Sequence, residues 1–159
     1  MLDKNPEPSS RIEANRKAPA VETADAYIEA PIASVWSILS DLENWPSWNK
    51  GVSKIRVNGP VKPGTSFAWV GGGSKIVSRL EEVDPPNRIA WSGKTLGIRA
   101  MHVWELSQKG EGTQVHTEES FEGLVARLFR RVAKRTLAKA LDQGISSLKA
   151  EAESRIGRS

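Results

Sequence analysis

The sequence of 159 residues contains no cysteine and only two histidines, His102 and His116. Disulfides and thiolate chemistry are therefore excluded, and the absence of cysteine is consistent with a reducing, cytoplasmic environment. Two imidazoles on different predicted strands, without any thiol, give no usual zinc-ligand set, so we expect no metal. No segment approaches the roughly 20 apolar residues of a transmembrane helix. The N-terminal residues also lack the apolar core of a secretory signal, so none is expected.

The composition otherwise fits one globular domain, with 38% hydrophobic and 26% charged residues. Residues 1–22 differ from the rest, because they contain three prolines, four basic and four acidic side chains and few apolar ones. Such a composition predicts a disordered tail. The folded domain is expected over residues 23–156.

Two short helices are predicted over residues 31–49. Pro31 suits the first position of a helix. Asp41 can cap a second, shorter helix, which Pro46 would end after Trp45. This stretch also contains Trp36 and Trp48, and so much aromatic surface must be buried against a larger element. The apolar face of the first helix is predicted to comprise Ile32, Val35, Trp36 and Leu39.

A series of strands follows these helices and precedes one long helix. Alternation of apolar and polar residues, with short turns of glycine, proline and asparagine, predicts antiparallel neighbours. The sheet is therefore expected to have six or seven strands, and the last helix is expected over residues 124–156. The predicted strands cover residues 23–30, 52–57, 65–70, 74–83, 88–93, 98–106 and 113–121.

The predicted last helix has two apolar stripes whose phase breaks between Ala133 and Thr136. Either the helix kinks there, or its first turns pack on something other than the sheet. The segment Leu124–Ser159 also carries nine basic and three acidic residues. This basic face suits RNA or an anionic membrane. We expect a solvated face instead, with no nucleic-acid partner, because no base-stacking aromatic residues alternate with the charges.

Short motifs in the helical stretch and the order of the later elements carry a family resemblance. Ala30-Pro31 with Val35-Trp36, followed by Asp41 and Trp45-Pro46-Ser47-Trp48, resembles the START-like (SRPBCC) superfamily, which includes polyketide cyclase/dehydrase-like proteins. The resemblance covers residues 23–156. It implies an α+β helix-grip fold, in which a curved antiparallel sheet wraps around a long C-terminal helix and leaves a cavity between them. We further expect a cytoplasmic, bacterial protein.

The inner face of the predicted sheet combines aromatic and polar side chains. A polar group on such a face is costly unless it is paired, so His102 and Glu119 are the candidate catalytic residues. Antiparallel pairing across the turn at residues 108–112 brings them together, where the carboxylate is expected to raise the pKa of His102. A structural pair and a ligand-contacting pair both remain open. The candidate ligand-binding residues are Trp36, Trp48, Phe67, Trp69, Ser78, Trp91, His102, Trp104, Thr117, Glu119 and Phe121.

The resemblance implies that the cavity binds an apolar or aromatic molecule of the lipid, isoprenoid or polyketide class. An enzyme would perform cyclase or dehydratase chemistry on that ligand, whereas a carrier or regulator would only bind it. A third alternative is a basic-surface interaction protein of the ribosome-associated or toxin type. No cofactor is expected, since no nucleotide fingerprint is present, and the chain is expected to be a monomer or a homodimer.

Overall fold

The computed structural model describes residues 11–158 and contains one curved, seven-stranded antiparallel sheet. The strand order is β1-β7-β6-β5-β4-β3-β2, so β1 and β2 form the two edges. The predicted sheet is thereby confirmed. The strands are β1 (Ala20–Ile28), β2 (Val52–Val57), β3 (Ser66–Gly71), β4 (Ser74–Asp84), β5 (Arg88–Thr95), β6 (Ile98–Lys109) and β7 (Gly112–Glu122).

Two short helices and a 3-10 turn connect β1 to β2, as expected. Helix α1 spans Ile32–Leu39, the 3-10 turn spans Leu42–Asn44, and α2 spans Trp45–Trp48. The predicted roles of three residues at the helix ends are wrong. Pro31 is the N-cap of α1, and Asp41 accepts a hydrogen bond from the side chain of Asn44 (2.6 Å) without capping the backbone. Pro46 lies in the first turn of α2, where its missing N–H costs nothing, and therefore does not end a helix.

The predicted last helix is divided in two. Helix α3 spans Leu124–Leu128 and α4 spans Arg130–Ile156, with Phe129 between them at φ −108° and ψ 36°. The break thus lies before the residues where the apolar phase changes. Helix α4 packs against β1, β7 and α1. Its buried stripe comprises Ala133, Leu137, Leu141, Gly144, Ile145, Leu148 and Ala152.

Gly144 on α4 faces Trp104 on the sheet. A Cβ atom added at Gly144 would lie 3.8 Å from the ring of Trp104 on β6, which is ordinary van der Waals contact. The helix backbone therefore approaches the inner face of the sheet closely at this point. On that face, Phe67, Leu80, Ile89 and Val115 are fully buried and join the α4 stripe in one hydrophobic core.

The N-terminal segment of residues 11–19 covers part of the outer face of the sheet. Arg88 on β5 is only 2% exposed, and it contacts Glu82 (Nη1–Oε2, 3.2 Å) and Glu105 (Nε–Oε1, 3.1 Å). It also donates to the carbonyl of Ile12, while the Ile12 amide donates to Glu82 Oε2 (3.0 Å). A buried guanidinium requires such partners because its desolvation is costly.

The predicted disordered tail covers residues 1–22, of which the structure describes residues 11–22. Residues 1–10 of the predicted disordered tail lie outside the described residues. Residues 11–19 are ordered against the sheet, where Ala14 is buried and the Asn15 amide donates to Ser120 Oγ (3.0 Å). Strand β1 begins at Ala20, three positions before the expected start. Nowhere in residues 11–158 is there a helix with the length and apolar character that crossing a membrane requires.

Candidate functional site

Four side chains form a row across the inner face of the sheet. Glu22 on β1 lies opposite Glu119 on β7, which lies opposite His102 on β6, which lies opposite Trp91 on β5. Directly opposed residues in antiparallel strands share a face and lie in lateral contact range. The predicted proximity of His102 and Glu119 is confirmed, with 3.4 Å between Nδ1 and Oε2. Glu22 was not predicted, because the expected strand began at residue 23.

The hydrogen bonds around His102 define its tautomer. Its Nε2 lies 2.8 Å from Thr117 Oγ1, and that hydroxyl donates its single proton to the carbonyl of Val103 (3.0 Å). Thr117 Oγ1 must therefore accept, so His102 carries its proton on Nε2. The other ring nitrogen, Nδ1, presents a lone pair towards Glu119. The hydroxyl of Thr117 thus orients the imidazole through this hydrogen bond.

Burial governs the ionisation of both members of the pair. Desolvation lowers the pKa of His102 from 6.5 to about 3 and raises the pKa of Glu119 from 4.5 to about 8. The expectation that the carboxylate raises the pKa of His102 is therefore wrong, since the cost of burying charge dominates. At neutral pH the pair consists of an imidazole and a carboxylic acid. Their 3.4 Å separation exceeds ordinary hydrogen-bond lengths, so the acid proton and the Nδ1 lone pair are both available.

Two tryptophan rings flank His102 on the inner face of the sheet. The ring of His102 lies 4.6 Å from that of Trp91 and 5.4 Å from that of Trp104, measured between centroids. Trp45 from α2 lies 5.2 Å from Trp91 and extends the cluster. The cluster places a neutral acid and a base in surroundings of low polarity, where uncompensated charge is disfavoured.

Trp45 occupies the centre of the cluster although it was not among the candidate ligand-binding residues. Its ring contacts Phe67 (5.9 Å) and Trp69 (6.3 Å) in edge-on geometry as well as Trp91, and its Nε1 donates to the carbonyl of Leu39 (2.9 Å). The place of Trp45 in the Trp45-Pro46-Ser47-Trp48 motif could have indicated that its ring belongs to the site. The mistaken role of Pro46 obscured this indication, because it made Trp45 a helix end.

Comparison with known families assigns the chain. The profile of the family described as "Polyketide cyclase / dehydrase and lipid transport" matches residues 20–153. The chain belongs to this family. The matched region begins with β1 at Ala20 and therefore includes Glu22. No curated protein matches the sequence.

Solved structures agree with this assignment at the level of the fold. Hypothetical protein jhp0584 from Helicobacter pylori superposes with a TM-score of 0.76 at 16% identity, covering 91% of this chain and 98% of the other. A START superfamily protein from Mycobacterium smegmatis gives 0.73 at 12% identity, covering 84% and 97%. The di-domain ARO/CYC StfQ from the steffimycin biosynthetic pathway gives 0.73 at 15% identity, covering 87% of this chain and 52% of StfQ.

The remaining candidate residues of this polyketide cyclase/dehydrase family member occupy several environments. Ser78 is buried and accepts a hydrogen bond from Trp69 Nε1 (3.1 Å), so its hydroxyl already has a partner. Phe121 is half-buried beside Ala100 on the inner face. Trp36 is half-buried and Trp48 is buried, and within residues 11–158 no ring contact joins either of them to the aromatic cluster.

Among residues 11–158, two buried indole nitrogens without acceptors, and two partly exposed side chains, are the remaining features of the interior. In the part of the chain that the structure describes, buried Nε1 of Trp48 and of Trp104 have no acceptor. The side chains of His102 and Glu119 remain 12% and 14% exposed. An open depression of about 490 Å³ lies elsewhere, at the β5–β6 turn, where Lys94, Leu96 and Arg99 help to line it.

Proposed function

We propose that this protein binds an apolar or aromatic small molecule, of the lipid, isoprenoid or polyketide class, between the inner sheet face and α4. His102 and Glu119 contact the polar end of the ligand, and Trp91 and Trp104 contact its apolar part. The observation that carries the proposal is a neutral acid 3.4 Å from an unprotonated imidazole nitrogen, with the rings of Trp91 and Trp104 beside that imidazole. Family membership supports the coarser conclusion of a polyketide cyclase/dehydrase-like or START-type ligand-binding protein.

The pair has the ionisation states that acid–base chemistry on a carbonyl compound needs. We propose that His102 Nδ1 accepts a proton from the carbon next to a carbonyl, and that Glu119 donates its proton to a hydroxyl that leaves as water. The carbon–oxygen bond breaks as the double bond forms. The resulting imidazolium and carboxylate face each other across 3.4 Å, and transfer of one proton between them restores the starting state. General acid–base catalysis of this kind accelerates a step by about 10² to 10⁴.

Binding is tested by titrating an apolar fluorescent ligand and following tryptophan quenching. We expect about one ligand per chain. His102→Ala and Glu119→Ala should each weaken binding by about tenfold, the cost of one lost hydrogen bond. Glu119→Gln should retain affinity, because the amide keeps the shape and a donor. Native mass spectrometry of protein purified from its own host then identifies a co-purifying molecule.

A second histidine–carboxylate pair provides the matched control. His116 Nδ1 lies 2.8 Å from Asp25 Oδ1, but both side chains are on the outer face of the sheet. His116→Ala should leave ligand affinity unchanged. Equal loss of affinity in His102→Ala and His116→Ala would contradict the proposed site, as would a loss of thermal stability in the Ala variants without any loss of affinity. With a hydroxyketone ligand, a Glu119→Gln variant that binds but no longer releases water separates catalysis from transport.

A further inference from the structure

Large apolar side chains are exposed at the end of the molecule where the long helix begins. Leu124 is 70% exposed, Leu128 is 69% exposed and Phe129 is 60% exposed. Val132 on the first turn of α4 is 62% exposed, and Leu96 in the β5–β6 turn is 76% exposed. We call these five residues the apolar ridge. Single exposed apolar residues are normal, but a contiguous group of this kind marks an interaction surface.

The β5–β6 turn and α3 adjoin, so the ridge is one surface. Gly97 in the turn has φ +74°, and a Cβ atom added there would lie 3.2 Å from Val125 Cγ2. Gly123, which precedes α3, has φ +109°, and a Cβ atom there would lie 2.5 Å from the carbonyl oxygen of Gly97. Both positions favour glycine, because side chains at such φ values are strained, and a side chain at Gly123 would also collide with the Gly97 carbonyl oxygen. The backbone is thus shaped to bring Leu96 beside α3.

Basic side chains predominate around the ridge, although Glu122 on β7 lies opposite Arg99. Residues 124–135 contain five basic and no acidic side chains, and Lys94 and Arg99 lie opposite each other on the β5–β6 hairpin. Arg127, Arg130 and Arg131 are exposed, and no ion pair within residues 11–158 engages them. Exposed aliphatic side chains with unpaired cations beside them are typical of segments that lie in the interface of an anionic bilayer.

Other partners fit this surface less well. Single-stranded nucleic acid is held by stacking aromatic residues between the charges, and Phe129 is the single aromatic residue of the ridge. A second copy of the chain would bring two groups of arginines together, and like charges repel. The sequence favoured a solvated basic face for this helix. The exposure of Leu124, Leu128 and Phe129 in the structure changes that interpretation.

We propose that the apolar ridge and its basic flanks dock this protein onto anionic lipid bilayers. The ridge enters the headgroup region, and Arg127, Arg130 and Arg131 contact lipid phosphates. The docked protein lies on the bilayer without crossing it. This docking does not depend on the ligand proposed for the interior.

Co-sedimentation with vesicles tests the proposal. The protein should bind vesicles of phosphatidylglycerol mixed with phosphatidylcholine, remain free with phosphatidylcholine alone, and dissociate as salt rises. The double variant Arg130→Gln/Arg131→Gln should bind about 30-fold more weakly, since each basic residue near an anionic surface contributes about fivefold. Leu128→Gln/Phe129→Gln should weaken binding by at least about tenfold through the lost apolar contact.

Matched controls lie outside the ridge. Lys54→Gln/Arg56→Gln removes two exposed cations from β2, an edge strand three strands away from β5, and Ile156→Gln replaces an apolar side chain, 44% exposed, at the other end of α4. Both control variants should bind vesicles as the unmodified protein does. Controls that weaken binding as much as the ridge variants would overturn the proposal, because attraction would then depend on total charge alone.

A direct measurement of depth uses the absence of cysteine. Cysteine introduced by Leu128→Cys carries an environment-sensitive fluorophore, and Ser53→Cys on β2 carries the same label as the reference. On anionic vesicles the label at position 128 should shift to shorter wavelength and be quenched by spin-labelled lipids, while the label at position 53 should not change. An unshifted label at 128, tighter binding to RNA than to vesicles, or a ridge-dependent dimer by size-exclusion chromatography would each refute bilayer docking.

Discussion

The buried carboxyl of Glu119 makes the stability of this protein dependent on pH in a specific way. Its pKa is raised from 4.5 to about 8, so the folded state keeps a proton that the unfolded chain releases. Its contribution to stability is therefore fully present below pH 4.5 and is lost as the pH rises towards 8. Each pH unit in that window lowers the free energy of unfolding by about 1.4 kcal/mol.

His102 acts in the opposite direction. Its pKa is lowered from 6.5 to about 3, so its contribution is present above pH 6.5 and is lost as the pH falls towards 3. Between pH 4.5 and 6.5 the opposite effects of Glu119 and His102 on the free energy of unfolding cancel. We therefore expect that, as far as this pair is concerned, the free energy of unfolding does not change with pH in this range. Above pH 6.5 only Glu119 still titrates, and the free energy of unfolding should fall by about 2 kcal/mol by pH 8.

Glu119→Gln isolates this effect, because glutamine has the shape of the protonated acid and cannot ionise. Urea unfolding followed by tryptophan emission gives the free energy of unfolding at each pH. In Glu119→Gln only His102 of this pair still titrates, so variant and wild type should be similar at pH 4.5, and the variant should gain about 1.4 kcal/mol on wild type with each pH unit up to pH 8. At pH 8 the variant should therefore be more stable by about 5 kcal/mol. Glu43→Gln, at an exposed position, should follow wild type throughout. Parallel profiles of wild type and Glu119→Gln from pH 6.5 to 8 would refute the reasoning.

Two further substitutions test packing and the outer face. Gly144→Ala should raise the free energy of unfolding by about 1 kcal/mol, measured by urea unfolding, because alanine favours the helix more than glycine does. The added Cβ atom would lie 3.8 Å from Trp104, which is an ordinary contact distance. A destabilised variant would show that the space beside Trp104 is tighter than this. Arg88→Leu should lower the melting temperature and cost about 3 kcal/mol, because it leaves Glu82 and Glu105 without their buried partner, whereas Arg79→Leu, at a site 60% exposed, should cost much less.

Much of the fold was predictable because its signals are local. Strands β4 to β7 alternate bulky and polar residues and end at turns rich in glycine and proline, so their order and pairing follow from the pattern. Strand β1 was placed too late, since Ala20, Ala24 and Ala26 mark its inner face too weakly. The break at Phe129 was also missed, because no glycine or proline marks it.

The site was predictable in its geometry but not in its ionisation. Counting residues from the turn brought His102 next to Glu119, because antiparallel register follows from hairpin position. The direction of both pKa shifts depends on how deeply the pair is buried. The alternation of residues along a strand shows which face a side chain is on, but not how deeply it is buried. Glu22 was missed together with the start of β1, and Trp45 was missed because Pro46 was expected to end the helix at Trp45.

The register shift at one edge of the sheet limits how copies of this protein can associate. Strand β2 is an edge strand, and its pairing with β3 is irregular between Val52 and Lys54. A bulge twists the backbone and leaves one residue without a ladder partner, so a neighbouring chain meets an uneven row of amides and carbonyls. The exposed side chains of Lys54 and Arg56 add repulsion between two such edges. Growth of the sheet from one molecule into the next is thereby disfavoured at β2, which protects the protein against aggregation by strand addition at that edge.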